Sequence, residues 1–326
     1  MKKIIWYILF VVVLIFTMPI VFTDQFGKTE EVVNPEVEEM QYEKANYGDL
    51  SQIKLLHHET NEVEEIEFDT YLYGVVSAEM PASYELEALR AQAVVARTYT
   101  IYKIVNGSKH ENADIFDSSL CCQAWISKEN RLARWEENSR EEYWNKILDC
   151  VNSTSGRYIT YQGEPINSFF HSNSGGQTEL PVNVWGGSFP YLQVVATVGE
   201  ENYNGYHSEV VLSKDELIQK MLTKYSNFEI HFDEVNCIQI LDLTESGRVK
   251  TMKIGNVSLY GVEARQIFGL KSAKFEFEIV DNQVKFTVTG YGHGVGLSQN
   301  GSDVLAKQGK NYEEIIRYYY KDVEIK

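Results

Sequence analysis

The stretch Tyr71-Leu-Tyr-Gly-Val-Val-Ser-Ala-Glu-Met-Pro-Ala-Ser-Tyr-Glu-Leu-Glu-Ala-Leu-Arg-Ala-Gln-Ala-Val-Val-Ala-Arg-Thr-Tyr99 decides how the rest of the chain is read. Pro81 biases Met80 away from helical backbone, so a first helix is expected to stop near Met80 and a longer one to begin after Ser83. Asp69 is placed to cap the first. The second segment is small or apolar nearly all round (Leu86, Leu89, Ala91, Ala93, Val94, Val95, Ala96), and a helix without a broad polar face is a buried one. Arg90 and Arg97 share a stripe of it, and a buried arginine needs a partner. Glu79, the last ionisable group before the bend, has two readings. It is half of a structural ion pair, or it is a carboxylate on the floor of an active site.

Toward the amino terminus, residues 4–22 form an uncharged apolar run long enough for a bilayer's hydrocarbon core, with no small-x-small cleavage site before Asp24. Lys2 and Lys3 put residues 1–3 in the cytoplasm and the remainder outside. Residues 23–50, with Glu30-Glu31 and Glu38-Glu39, read as an acidic linker, leaving 51–326 as one extracytoplasmic domain. A net charge of −17 excludes nucleic acid as a partner and disfavours docking on an anionic surface. The four cysteines, two of them adjacent, are no disulfide framework for a chain of 326 residues. Burial is the default for Cys150 and Cys237.

Downstream, helices and hairpins interleave without a βαβ rhythm, which predicts an α+β fold. Residues 52–57 and 63–68 read as paired strands. Ser139-Arg-Glu-Glu142 reads as a capping box opening a helix to about residue 151. Residues 157–161 and 166–170 read as a second hairpin, and Ser213-Lys-Asp-Glu216 caps a helix to about 225. Strands are expected within 237–257 and at 275–280 and 284–289, and a last amphipathic helix over 311–320.

Three further segments carry chemistry. His171-Ser-Asn-Ser-Gly-Gly-Gln-Thr178 ends a strand in small hydroxyl and amide groups beside a glycine pair, as a polar ligand requires. Gly290-Tyr-Gly-His-Gly-Val-Gly-Leu-Ser-Gln299 sets His293 between glycines; a plain glycine-rich turn is the other reading. His110 with Cys121 and Cys122 offers the imidazole and thiolates zinc prefers, but Cys122 could instead be a thiol nucleophile or simply buried. Most glycosidases need two carboxylates. Glu85 and Glu87 are accounted for by the dipole of the helix they open, so Glu79 stands alone. One carboxylate suffices where the substrate's own hydroxyl replaces water, which points to an intramolecular transglycosylation.

Val-Val-Ser-Ala-Glu-Met-Pro (75–81), Leu-Arg-Ala-Gln-Ala-Val-Val-Ala-Arg-Thr-Tyr (89–99), Cys-Gln-Ala-Trp (122–125), Phe-His-Ser-Asn-Ser-Gly-Gly-Gln-Thr-Glu (170–179) and Gly-Tyr-Gly-His-Gly-Val-Gly-Leu-Ser-Gln (290–299) together resemble the stage II sporulation protein D family, from about residue 50 to the end. The resemblance implies a peptidoglycan lytic transglycosylase of forespore engulfment. Such an enzyme cuts the β-1,4 bond between N-acetylmuramic acid and N-acetylglucosamine and leaves a 1,6-anhydro end. It further implies glycan strands stripped of stem peptides by a partner amidase, stage II sporulation protein P, in the company of other engulfment membrane proteins. Glu79 maps onto the catalytic acid. Since a general acid needs a raised pKa, Glu79 is expected to be desolvated rather than tightly paired with Arg97, which is read as a supporting residue that orients the site or contacts substrate. His171, Ser172, Ser174, Thr178, His293 and Gln299 are expected to line the glycan groove. Some relatives are similar to zinc proteins at the loop of His110 and Cys122, with Phe116 standing where a cysteine is expected and Cys121 as the substitute. The competing functions are a glycan-binding scaffold that recruits an amidase, and a cysteine peptidase or amidase built on Cys122 with His171 or His293.

Overall fold

The computed structural model describes residue 47 and residues 50–326 apart from 111 and 120. The expected cytoplasmic tail, the anchor at 4–22 and nearly all of the linker lie outside the described residues. Among the described residues no helix is long and apolar enough to cross a membrane.

The fold is α+β. Strands β1 (Gln52–Leu56) and β2 (Val63–Glu67) form the expected antiparallel hairpin and run into α1 (Phe68–Glu79). Helix α1 stops where Pro81 requires: Met80 is extended, with φ −124° and ψ 143°. The long helix α2 (Leu86–Asn106) starts slightly later than expected. It is the axis of the molecule because it has two buried faces. Ala88, Leu89, Ala93 and Ala96 join a core with α1, β1 and helix α4 (Arg140–Asn152), and Cys150 lies in that core. Ala91, Val94 and Val95 join a second core with β4 (Ile159–Tyr161) and helix α8 (Tyr312–Tyr319). The faces of α2 that meet these cores are small or apolar because a polar group buried there needs a partner, as Arg97 has in Asp69.

The stretch of chain from 207 to 289, ahead of the glycine-rich segment, forms a lobe with its own core. Strands β7 (His207–Ser213), β11 (Phe275–Val280) and β12 (Gln283–Thr289) make one antiparallel sheet, and β8 (Ile238–Leu243), β9 (Val249–Ile254) and β10 (Val257–Tyr260) another. Helices α5 (Lys214–Leu222) and α6 (Gly261–Phe268) close over them, with Cys237 buried inside. The capping box at Ser213 and Glu216 forms as expected.

Three local expectations come out differently. Asp69 does not cap α1; it sits in the first turn and takes an arginine instead. Ser139 makes no cap hydrogen bond to α4, because a 3₁₀ turn over Glu137–Ser139 leads into that helix and the Ser139 hydroxyl turns to Asn138. The hairpin after Arg157 is shorter than expected: β4 pairs with β5 (Glu164–Pro165). The chain then leaves it, and β6 (Phe170–His171) pairs in parallel with β13 (Leu297–Ser298), ahead of helix α7 (Gln299–Lys307). That long-range pair brings two of the motif segments side by side.

Candidate active site

Glu79 is the last residue of α1, so its side chain leaves the helix at the bend rather than along a helix face. The backbone N–H of Ala124 donates to its Oε1 at 2.6 Å. The Gln299 side-chain amide approaches the same carboxyl. Its Nε2 nevertheless makes no well-formed hydrogen bond among the described residues. Burial pushes the Glu79 carboxyl up to about 6, and the Ala124 N–H and Gln299 pull only partly the other way. No arginine or lysine is paired with it among the described residues.

The carboxyl opens onto a cleft of about 680 Å³. Ser172, Gln299 and Asn300 form one wall, fixed by the β6–β13 pair and by Asn300 N–H donating to Ser172 O at 3.0 Å. Tyr84 and Tyr203 stand edge to face at 5.6 Å on another side, and the Tyr84 hydroxyl donates to Asn300 Oδ1 at 2.6 Å. Trp135, Tyr143, Tyr291, Arg131 and Lys271 complete the lining. Glu79 is the only carboxylate among the described residues that line it. Glu87 lies elsewhere, held by Arg90 at 2.5 Å and by the Tyr312 N–H.

Ser172 and Gln299 are thus in the cleft with Glu79, and the other expected groove residues are not. His171 is buried, with Nδ1 3.1 Å from Val295 O, and burial among His293 and Arg248 holds its imidazole well below the usual range. The Ser174 hydroxyl is spent on Thr197 and the buried Glu200 carboxylate, and Thr178 donates to Gln193 O while accepting from the Val195 N–H. Small hydroxyls in this loop satisfy buried polar groups of the protein itself. His293 packs edge-on to Trp185 at 5.1 Å and accepts from Val295 N–H; burial and Arg265 push it down to about 3.

Arg97 is not beside Glu79 either. It is 2% exposed, pairs with Asp69 at 2.9 Å and donates to Thr154 O at 2.6 Å, near the other end of α1. Its guanidinium ties the carboxyl-terminal end of α4 to the first turn of α1, a structural clamp apart from the residues that line the cleft.

The His110–Cys121–Cys122 ligand atoms all lie within 4.8 Å of one another. His110 Nε2 is 3.2 Å from Cys121 Sγ, and the two sulfurs are 3.6 Å apart. Tetrahedral zinc places two sulfur ligands roughly 3.8 Å apart, so this donor set fits zinc. Without a metal, burial pushes the Cys122 thiol up to about 11, which is unsuited to a thiolate nucleophile. Its cluster holds His110; neither His171 nor His293 belongs to it.

The family model described as Stage II sporulation protein (SpoIID) matches residues 56–161, a span that contains Glu79, Ala124 and the histidine–cysteine cluster. The chain is 34% identical over 266 residues to stage II sporulation protein D of Bacillus subtilis (strain 168), covering 81% of this chain and 75% of that protein. The chain belongs to the stage II sporulation protein D family. The Bacillus amyloliquefaciens member is 33% identical over 265 residues, with the same coverage. An amidase enhancer of Bacillus subtilis (strain 168) is 30% identical over 300 residues, 76% of this chain but 39% of that longer protein.

Within this family member, what the sequence did not reveal is the other half of the site. The Ala124 donor is a backbone group, invisible in residue identity, although Cys-Gln-Ala-Trp flagged its neighbourhood. Tyr84, Tyr203, Arg131 and Lys271 come from four separate segments with no shared spacing.

Proposed function

We propose that this protein is a peptidoglycan lytic transglycosylase of sporulation, acting in forespore engulfment on the bond between N-acetylmuramic acid and N-acetylglucosamine. One observation carries the reading: a single carboxyl, raised to about 6, faces a cleft whose described lining holds no second carboxylate. A hydrolase would need a second group to serve the water. In the proposed reaction Glu79 gives its proton to the glycosidic oxygen as the C1–O bond breaks. The resulting carboxylate takes the proton of the muramoyl 6-hydroxyl as that oxygen bonds C1, which closes the 1,6-anhydro ring and restores the acid. The Ala124 N–H stabilises the carboxylate between the two steps. The tyrosines and Trp135 offer flat faces to sugar rings, and Ser172, Asn300 and Gln299 offer hydrogen bonds to their substituents.

His110, Cys121 and Cys122 would hold a structural zinc, which would tie down the loop two residues ahead of Ala124. The same reading tethers the domain outside the membrane through residues 4–22 and pairs it with a cell-wall amidase that supplies stripped strands; kinship with an amidase enhancer supports that partner. Mass spectrometry of amidase-treated peptidoglycan digested by the native chain and by Glu79→Gln tests the proposal. Anhydro-muramoyl ends from the native chain alone are expected. Strand binding without product would leave a scaffold, and reducing ends would mean a hydrolase.

A further inference from the structure

Helix α3 (Lys128–Arg134) carries two arginines that differ from the others in the chain. Arg90, Arg97, Arg140, Arg157, Arg248, Arg265 and Arg317 each donate to a carboxylate or a backbone carbonyl. The side chains of Arg131 and Arg134 have no hydrogen bond or ion pair among the described residues, in a chain of net charge −17. Arg131 is the half-buried one. Its guanidinium lies 4.9 Å over the Trp135 ring, and its shielded Nε has no acceptor. It lines the Glu79 cleft and also a neighbouring cavity of about 420 Å³, which shares only Ala78 and Arg131 with that cleft. A part-buried guanidinium without an anion is costly, and the nearby Arg134 charge adds to the cost.

Resting on the transglycosylase reading, we propose that Arg131 is the carboxylate receptor of the glycan cleft, and that it takes the free lactyl carboxylate of a muramoyl residue. The lactyl group carries the only ionisable group of a muramoyl glycan. In a peptide-bearing strand that carboxyl is an amide; once the peptide is removed it is an anion. The planar guanidinium, held from one side by Trp135, matches a carboxylate in two parallel N–H···O bonds. An amide carries no charge to answer it and brings a peptide into the same space. Arg131 thereby makes the cleft select stripped strands by charge, and Arg134 reinforces the field from the exposed side.

The test is a binding titration of the full-length chain carrying Glu79→Gln with two probes. One is a tetrasaccharide of alternating N-acetylglucosamine and N-acetylmuramic acid with free lactyl carboxyls; the other is the same sugar with each carboxyl converted to its methylamide. Charged hydrogen bonds of this kind support a preference of roughly 10- to 100-fold for the free acid. Adding Arg131→Gln is expected to bring the acid down to the methylamide's affinity while leaving the methylamide's own affinity in place, which also reports an intact fold. Arg131→Lys is expected to restore part of the preference. A preference unchanged in Arg131→Gln, or none without that change, overturns the assignment. Product analysis of the native chain reports separately on Glu79, so loss of anhydro ends with the binding preference intact would sink the transglycosylase reading alone.

Discussion

Ala124 donates its backbone N–H to Glu79 Oε1 at 2.6 Å, while burial holds the same carboxyl at about 6. The two effects oppose each other, and the balance is what a group that must be acid and then base requires. Desolvation keeps the proton on at the start. In the proposed reaction the N–H then stabilises the charge when the proton has gone.

Replacing Glu79 by Gln is expected to lower turnover about 10²- to 10⁴-fold, with the release of anhydro ends from stripped strands as the measurement. The native rate should fall as pH rises through about 6, because the first step needs the protonated acid. A native rate that stays flat from pH 5 to 8 would remove Glu79 from that step.

The same shift has a consequence for stability. The folded value lies above the ordinary 4.5, so the contribution of Glu79 is fully present below pH 4.5 and is lost as pH rises through about 6. The loss amounts to about 2 kcal/mol. Chemical denaturation should therefore find Glu79→Gln more stable than the native chain at pH 8, with the difference closing at pH 4.

Arg97 answers to a different experiment. Replacing it by Met removes the partner of Asp69 and leaves Thr154 O and Val151 O short of a donor, so stability should drop by about 3 kcal/mol. Activity per folded molecule should be largely retained at low temperature. A full loss of turnover in a chain that still unfolds at the native denaturant midpoint would contradict the clamp role.

Gly296 has φ +74°, and a Cβ there would run into the carbonyl oxygen of Phe169. Gly296→Ala should cost about 2 kcal/mol or more and disturb the β6–β13 pair. Because that pair holds Ser172 beside Gln299, strand binding should weaken along with the denaturant midpoint.

For the histidine–cysteine cluster the measurement is metal content. The native chain purified without chelator should carry about one zinc, and His110→Ala or Cys121→Ser should lose it. Removal should lower the melting temperature, since the loop that presents Ala124 would lose its anchor. A zinc content below a tenth of an equivalent in the native chain would rule the site out.

The sequence by itself determined the features that follow from local rules. Pro81 ends α1 at Glu79, the run of small and apolar residues round most of α2 demands burial on more than one face, and Ser213 with Glu216 caps α5. That Glu79 stands without a second carboxylate also followed from residue types alone. Only the tertiary structure decided who meets whom. The parallel pairing of β6 with β13 joins segments more than a hundred residues apart and has no signature in either. It put Ser172 and Gln299 at the cleft and turned its strand neighbour His171 to the opposite side, while Ser174 and Thr178 turn inward to bond Glu200 and the backbone of Gln193 and Val195. Arg97 read as a site residue because a buried arginine must have a partner, and only packing showed that partner to be Asp69. Arg131 is the converse case: among the described residues its guanidinium meets the Trp135 ring but no anion, and that lack is a property of the folded surroundings rather than of a residue type.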